Sequence, residues 1–413
     1  MAQSFRVKAA VAALEGTYGT DAVPTSTDAV LFTGDLNVSV EYETVARNLV
    51  KPFMGAGEEI PVGTTMKLTG DVELAGSGTQ GTAPAWGDLI LACGWAETVV
   101  TGVGRIASAA TALGASVGTF TYTRTTAPTC TLPRLVTLTC TTGGASGVAA
   151  FMVAAPATTV DIAYSQTGVV MTDAAAFALP NGAVITPTVG TAFTAGDSYT
   201  LQLMPAYVYY TPVSDNIASL SQYVHFSKKR HKLLGARGNM QINQNAKGIP
   251  VIKLDFMGLY GGIAHEGVPP AVNLARWKKP VPVNNDYTAM PLLHGHAAPM
   301  YAFSYNHGAK TVHVNLPGQE FISLNDREST GAITIVDPTL EDWDYYQTVK
   351  DVVLGGFSVI HGTTPGNIVE IRATGTQIGK PKYENKDMDV ALSLDMRFIS
   401  GDAGNDEVMI LVY

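Results

Sequence analysis

The sequence predicts a mainly β fold: two tandem β-sandwich or barrel domains, each with a flanking helix, plus an inserted β-sandwich. Three observations carry this. Thr69-Gly70-Asp71-Val72-Glu73-Leu74 opens an alternating strand followed by a helix-like segment, and Thr330-Gly331-Ala332-Ile333-Thr334-Ile335 repeats the arrangement some 260 residues later. Each copy is later closed by a second pair of alternating strands. Between the parts of the first copy lies a nearly uncharged Thr/Ala/Gly stretch of different character.

Bulk properties narrow the function classes. Of 413 residues, 46% are hydrophobic and only 15% charged, a lean surface that suits a chain covered by neighbours. No run of about eighteen apolar residues exists, so no membrane insertion is expected. The opening Met1-Ala-Gln-Ser-Phe-Arg-Val-Lys8 lacks the apolar core of a secretory signal. A net charge of −9 argues against a grip on nucleic acid built from phosphate neutralisation. Cys93, Cys130 and Cys140 match no zinc spacing; they read as small buried thiols of a reducing cytoplasm, with a Cys130–Cys140 hairpin pair as the alternative.

Along the chain, residues 1–30 read as an arm and Leu31–Tyr42 as a strand. Residues 43–63 read as a loop, neither clean helix nor strand, whose Val45, Leu49, Val50, Phe53 and Met54 call for a docking partner. Leu68, Val72 and Leu74 alternate with polar residues. After Pro84, Trp86, Leu89, Ile90 and Cys93 form one helical face, stopped at Gly94. Residues 101–205 hold balanced Arg and Asp, with no Lys or Glu, and period-two runs at Thr119–Thr123 and Leu135–Cys140: an inserted β domain. The first domain resumes at 206–265 with strands at Tyr223–Phe226, Met240–Ile242 and Ile252–Phe256. A Pro/Gly-rich linker covers 266–298. The second domain, 299–413, has strands at Thr311–Val314 and Ile333–Ile335, then Asp337-Pro338 as helix cap and first turn. Leu340, Trp343, Tyr346, Val349 and Val353 supply its helical stripe, and Val390 to Phe398 is the cleanest strand.

Four motifs are weak. Gly76-Ser-Gly78-Thr-Gln-Gly81 matches a dinucleotide loop, but no parallel βαβ unit follows, so a turn is favoured and no cofactor is expected. His294-Gly-His296 has no further ligand at metal spacing, and no metal is expected. Lys228-Lys-Arg-His-Lys232 is a solvated or subunit-facing basic run rather than a DNA grip. Gly114-Ala-Ser116-Val-Gly118 sits in a stretch without His, so a nucleophile elbow is disfavoured. No catalytic constellation is visible, and the chain reads as a non-enzyme.

Several strings resemble the major tail tube protein of long-tailed, non-contractile bacteriophages: Ala13-Leu-Glu-Gly-Thr-Tyr-Gly-Thr-Asp21, Asn48-Leu-Val-Lys-Pro-Phe-Met-Gly55, Glu73-Leu-Ala-Gly-Ser-Gly-Thr-Gln-Gly-Thr-Ala-Pro-Ala-Trp-Gly87, His231-Lys-Leu-Leu-Gly-Ala-Arg-Gly238, Leu316-Pro-Gly-Gln-Glu320 and His361-Gly-Thr-Thr-Pro-Gly-Asn367. The resemblance spans nearly everything but 101–205. It implies a virion tail protein, assembled in the host cytoplasm, whose rings stack into a tube through which DNA leaves the particle. Strands of adjacent subunits would pair into an inner barrel. Two copies per chain imply a trimeric ring with pseudo-sixfold symmetry, with a hexamer of full chains as the competing arrangement. Tape-measure, tail-terminator and distal-tail proteins are the implied partners, and DNA passes without being held. Asp71, Glu73, Asp255 and Asp395 are candidate lumen-facing acids, though ordinary solvation explains them equally well. Val45, Leu49, Val50, Phe53 and Met54 are the candidate ring-stacking contact, and the insert is expected on the exterior. From other classes, a secreted β-sandwich adhesin and a nucleotide-dependent enzyme remain as alternatives, decided by glycan binding and by a cofactor titration.

Overall fold

A computed structural model describes residues 8–100, 119–123, 133–155, 163–178, 184–188, 192–266 and 270–413. The chain is mainly β and divides into two compact units. Unit 1 comprises Met1–Ser77, Ala83–Thr98 and Tyr209–Leu411; unit 2 comprises Gly78–Thr82, Val99–Val208 and Val412–Tyr413.

In chain order the first strands are β1 (Lys8–Leu14), β2 (Ala29–Val30), β3 (Phe32–Ala46), β4 (Glu59–Glu73) and, after helix α1 (Gly87–Leu91), β5 (Trp95–Val100). Then come β6 (Thr119–Thr123), β7 (Arg134–Thr142), β8 (Ala150–Ala155), β9 (Tyr164–Val170), β10 (Phe177–Ala178), β11 (Val184–Thr188) and β12 (Ser198–Leu203). The chain continues with β13 (Tyr207–Pro212), β14 (Leu220–Phe226), β15 (Lys229–Asn245), β16 (Val251–His265), β17 (Leu292–Leu293), β18 (His296–Ala297) and β19 (Met300–Asn306). It ends with β20 (Ala309–Leu316), β21 (Gln319–Arg327), β22 (Thr330–Val336), α2 (Tyr345–Lys350), β23 (Leu354–His361), β24 (Val369–Lys386), β25 (Asp389–Phe398) and β26 (Met409–Val412).

Unit 1 is organised by one continuous antiparallel array in the order β3-β4-β16-β15-β19-β22-β25-β24. The order contains a repeat. In each half an early strand pair sits beside a later hairpin whose second strand lies inside, so β3-β4-β16-β15 and β19-β22-β25-β24 have the same connectivity. The halves meet where β15 pairs with β19, Gln241 opposite Asn306 and Asn243 opposite Ser304. Equivalent residues occupy equivalent rungs: Thr69 faces Asp255 in the first half, and Thr330 faces Arg397 in the second.

One side of this array is core. Met66, Leu68, Val72, Met240, Ile242, Ile252, Leu254, Phe256, Phe303, Ile333, Leu392, Leu394 and Met396 are all buried there, as period-two alternation requires of a one-sided sheet. The helical face read around residue 86 is equally buried at Trp86, Leu89, Ile90 and Cys93, and Gly94 ends the turn at φ +86°.

Local periodicity misplaced several elements. Lys8–Leu14 is a strand rather than part of an irregular arm, because its Ala-rich sequence takes its register from β14, with Val11 opposite Tyr223. The flanks of residues 43–63 are strand: β3 and β4 run past the sheet as an arm through Ala46 and from Glu59, while 47–58, with Leu49, Val50, Phe53 and Met54, is a loop as read. The second helix is capped by Asp344, whose carboxylate accepts from Gln347 N at 2.8 Å, rather than by Asp337. It buries Tyr345 and leaves Leu340, Tyr346 and Val353 exposed. Val390 is exposed because it stands at the far end of the β24–β25 hairpin, opposite Asn385. The Pro/Gly-rich stretch is packed: Val283, Leu293 and Ala298 are buried and Trp277 Nε1 donates to Ala29 O at 2.8 Å.

Unit 2 contains a four-stranded sheet, β12-β7-β8-β9, and a three-stranded one, β10-β11-β6, both antiparallel. Their buried side chains form a common cluster, in which Phe151 and Phe193 meet edge to face at 5.0 Å.

Cys93 and Cys140 are free and buried; Cys130 and Gly114–Gly118 lie outside the described residues. Among the buried polar groups of unit 1, His307 lies against Trp95, ring centroids 4.9 Å apart, with Nδ1 3.1 Å from Tyr305 Oη. Desolvation, reinforced by Arg327, pushes its pKa down to about 3. A folded-state pKa below the unfolded value of 6.5 means the stability is present above that value and drains away as pH falls below it. Between about pH 6.5 and pH 5 the single group is expected to cost about 2 kcal/mol. Urea unfolding across that range should show a steeper loss in the parent chain than in His307→Phe.

Candidate assembly surface

The other side of the eight-stranded array is mostly polar. One rung reads Asp71, Lys253, Gln241, Asn306, Thr330, Arg397, Gln377; the next reads Glu73, Val251, Asn243, Ser304, Ala332, Asp395, Gly379. Asp71, Glu73, Asp255 and Asp395 therefore all stand on one face, across both halves of the sheet. The face is less acidic than those four residues alone suggest. Asp71 lies opposite Lys253, Lys67 Nζ pairs with Glu41 at 2.8 Å, and Lys380 Nζ lies 3.1 Å from Asp395. Neighbouring atoms crowd Asp255 enough to raise its carboxyl above the usual range, with Lys67 opposing the rise and Glu41 adding to it. Single-strand alternation already puts Lys253 and Arg397 on this side; that they interleave with the acids of neighbouring strands appears only once the strands are in register.

Both halves carry an arm. The first is the exposed extension of β3 and β4. Val45, Leu49 and Phe53 on it are more than half exposed, and Val50 and Met54 fully so. The second, β20–β21, leaves the sheet at Gly308, where φ is +68° and a Cβ would lie 2.2 Å from Glu328 O. It folds back on its own chain. His313 joins Glu43 and Glu320 at 3.2 and 2.9 Å, and Asn315 Nδ2 donates to Val62 O at 2.9 Å.

The seat of the second arm is built from two of the sequence strings noted above. Glu15 accepts from Gly19 N, Ser219 Oγ, Ser221 Oγ and Gly235 N, all within 2.8 Å. Tyr18 Oη donates to Gly235 O at 3.1 Å and accepts from Ile322 N of the arm at 2.6 Å. Arg237 stacks over the Tyr18 ring at 4.8 Å and donates to Ile322 O at 3.0 Å. A side chain at Gly235 would meet the Tyr18 ring at 2.6 Å. Residues more than 200 positions apart thus form one clamp, which no local pattern signals.

The weaker motifs are absorbed structurally. Gly76 N donates to Asn367 Oδ1 at 2.6 Å, and a Cβ there would strike Gly366 O at 2.2 Å. His294 and His296 flank Trp343, with His294 Nε2 2.8 Å from Thr376 O. In the basic run, Arg230 pairs with Glu266 at 2.7 Å and Lys232 with Asp21. Among the described residues no group of three or more His, Cys, Asp or Glu is placed to hold a metal ion. No helix among them is long and apolar enough to cross a membrane. Compared with protein-family models and with curated proteins, the sequence matches neither.

Proposed function

We propose that the chain is a structural tail-tube protein: copies of it close into rings, the rings stack, and the polar side of the eight-stranded array lines a channel through which DNA leaves a virion. The observation that carries this reading is the repeat. Two four-stranded halves of identical connectivity are already joined edge to edge inside one chain, with a mostly polar face on one side and a packed core on the other. A sheet that extends by repeating itself and still ends in open edges is completed by further copies. Three chains would supply six such four-stranded units, the favoured ring, and six chains the alternative. The interleaved Lys67, Lys253 and Arg397 beside Asp71, Glu73, Asp255 and Asp395 give the face a weak, mixed potential, under which phosphates are neither held nor strongly repelled. The apolar arm tip, Leu49, Val50, Phe53 and Met54, is the proposed contact between stacked rings, covering side chains that otherwise stand in water. Tape-measure, terminator and distal-tail proteins would bound the tube, and no cofactor enters the scheme.

Negative-stain microscopy of the purified chain tests this. Hollow rings or tubes are expected, and a chain in which residues 47–58 are replaced by a short Gly/Ser turn should give rings without tubes. Globular monomers at high concentration would overturn the proposal, and long tubes from the shortened arm would remove the stacking role.

A further inference from the structure

Resting on that reading, we infer that each chain joins the next along the open edges of β3 and β24, in the register that β15 and β19 use inside the chain. The partner is a second copy of this chain, and the joint is head to tail.

Strand β3 is in register with β4 alone among the described residues. Strand β24 takes β23 on one edge along Val369–Gln377 and β25 on the other along Thr376–Lys386, and it also pairs with the short β26. Beyond Gln377 β23 is no longer in register on that edge, which runs on to Lys386. The same edge of β15 is where β19 docks. The repeat then fixes the pairing. Because Asp255 faces Asn239 as Arg397 faces Gln377, Asn239 corresponds to Gln377, Gln241 to Gly379 and, across the bulge, Asn243 to Lys382. Because Thr69 faces Asn37 as Thr330 faces Asn306, Asn306 corresponds to Asn37 and Ser304 to Thr33. The internal pairs Gln241–Asn306 and Asn243–Ser304 therefore become Gly379–Asn37 and Lys382–Thr33 between chains.

Three independent details fit this register. First, both open edges are interrupted at the same place. The β3 ladder shifts between Thr33 and Asn37, and the β24 ladder between Gly379 and Lys382. The pairing sets bulge against bulge, with Asp35 facing Lys380. Second, the internal joint holds Asn306, whose Oδ1 accepts from Asn239 Nδ2 at 2.9 Å and Gly308 N at 3.0 Å. The corresponding part of the second half carries a depression of about 500 Å³ across β22, β25 and β24, lined by Thr330, Gln377, Gly379, Lys380, Asp395 and Arg397 among others, beside which Asn37 of the next chain would stand. Third, the edges are oppositely charged. Within the joint β3 brings Asp35 and no Lys or Arg, whereas β24 brings Lys382 and Lys380, the latter also 3.1 Å from Asp395 of its own chain. Like edges repel, so back-to-back pairs of chains are disfavoured and head-to-tail addition is favoured. On β3 the Leu36 carbonyl is already held by Lys8 Nζ at 3.1 Å, inside the bulge where no ladder bond is needed.

Paired cysteines test the register, since directly opposed residues of antiparallel strands lie within disulfide reach. A Cβ at Gly379 meets nothing within 4 Å. Asn37→Cys with Gly379→Cys, oxidised after assembly, is expected to give disulfide-linked chains whose largest species on a denaturing gel is one closed ring. Asn37→Cys with Glu384→Cys, out of register, should stay unlinked. Thr33→Cys with Lys382→Cys is the second in-register pair, should the first disturb folding. Rings visible by microscopy with neither in-register pair linked would overturn this joint while leaving the tube reading intact. Absence of rings from the parent chain would overturn both. Lys380→Glu should weaken assembly at least tenfold in the concentration required, and adding Asp35→Lys should restore it.

Discussion

Replacing Glu15 with alanine is expected to destabilise unit 1 by about 3 kcal/mol, against the few tenths typical of a surface change. The carboxylate collects two backbone N–H groups and two serine hydroxyls, drawing the turn after β1, the start of β14 and the middle of β15 onto one point. Alanine leaves four donors facing one another with no acceptor. Glu15→Gln should recover little, because its amide brings two more hydrogens into a site already filled by donors. Urea unfolding followed by near-ultraviolet dichroism measures the loss; a shift under about 0.5 kcal/mol would mean that the clamp is held by packing around Tyr18 and Arg237 instead.

The second large effect lies at Arg327. Its Nε reaches Glu407 Oε1 at 2.6 Å, Nη1 donates to Val213 O at 2.7 Å, and Nη2 to Asn405 Oδ1 at 2.6 Å. Glu407 is 5% exposed, so Arg327→Ala strands a charge away from water and is expected to cost about 3–5 kcal/mol. Removing both charges is different: Arg327→Met with Glu407→Leu should recover most of the loss, because the desolvation penalty of two ions disappears with their attraction. A double-mutant cycle separates the two terms. A double variant as unstable as Arg327→Ala would show that the hydrogen bonds to Val213 and Asn405 matter more than the ion pair.

Much of the candidate surface was legible one strand at a time. Alternation at Leu68–Leu74, Ile252–Phe256 and Leu392–Phe398 separated core from polar face, and it placed Asp71, Asp255 and Asp395 on the polar side. What alternation cannot show is which strand lies beside which. The pairing of Gln241 with Asn306, and the meeting of Glu15 with Gly235, are set by tertiary contacts between distant segments and leave no local periodic signal. The arm of β3 and β4 was read wholly as a loop because its flanks show no clean period; the ladder from Tyr42–Thr64 to Ala46–Glu59 runs through Pro61 and Gly63 all the same, while Pro52 stays in the connection. The second helix was drawn too long because Leu340 and Val353 happen to continue a 3.6-residue stripe beyond the segment that Asp344 caps.

The order of the strands also sets a timetable for synthesis. Strand β4 pairs with β16 at Gly70–Leu254, and β1 pairs with β14 at Val11–Tyr223, so the first strands emerge long before their partners exist. At roughly 5–20 residues per second, the 184 residues separating Gly70 from Leu254 take on the order of 10–40 s to translate. Through that interval the β3–β4 hairpin waits at the ribosome with Met66, Leu68 and Val72 uncovered. The segment made meanwhile has a core of its own in Phe151, Phe193 and Tyr199 and can close at once. A nascent chain stalled once Leu203 has cleared the ribosome would hold a closed module together with an unfinished one, the species on which chaperone demand should peak.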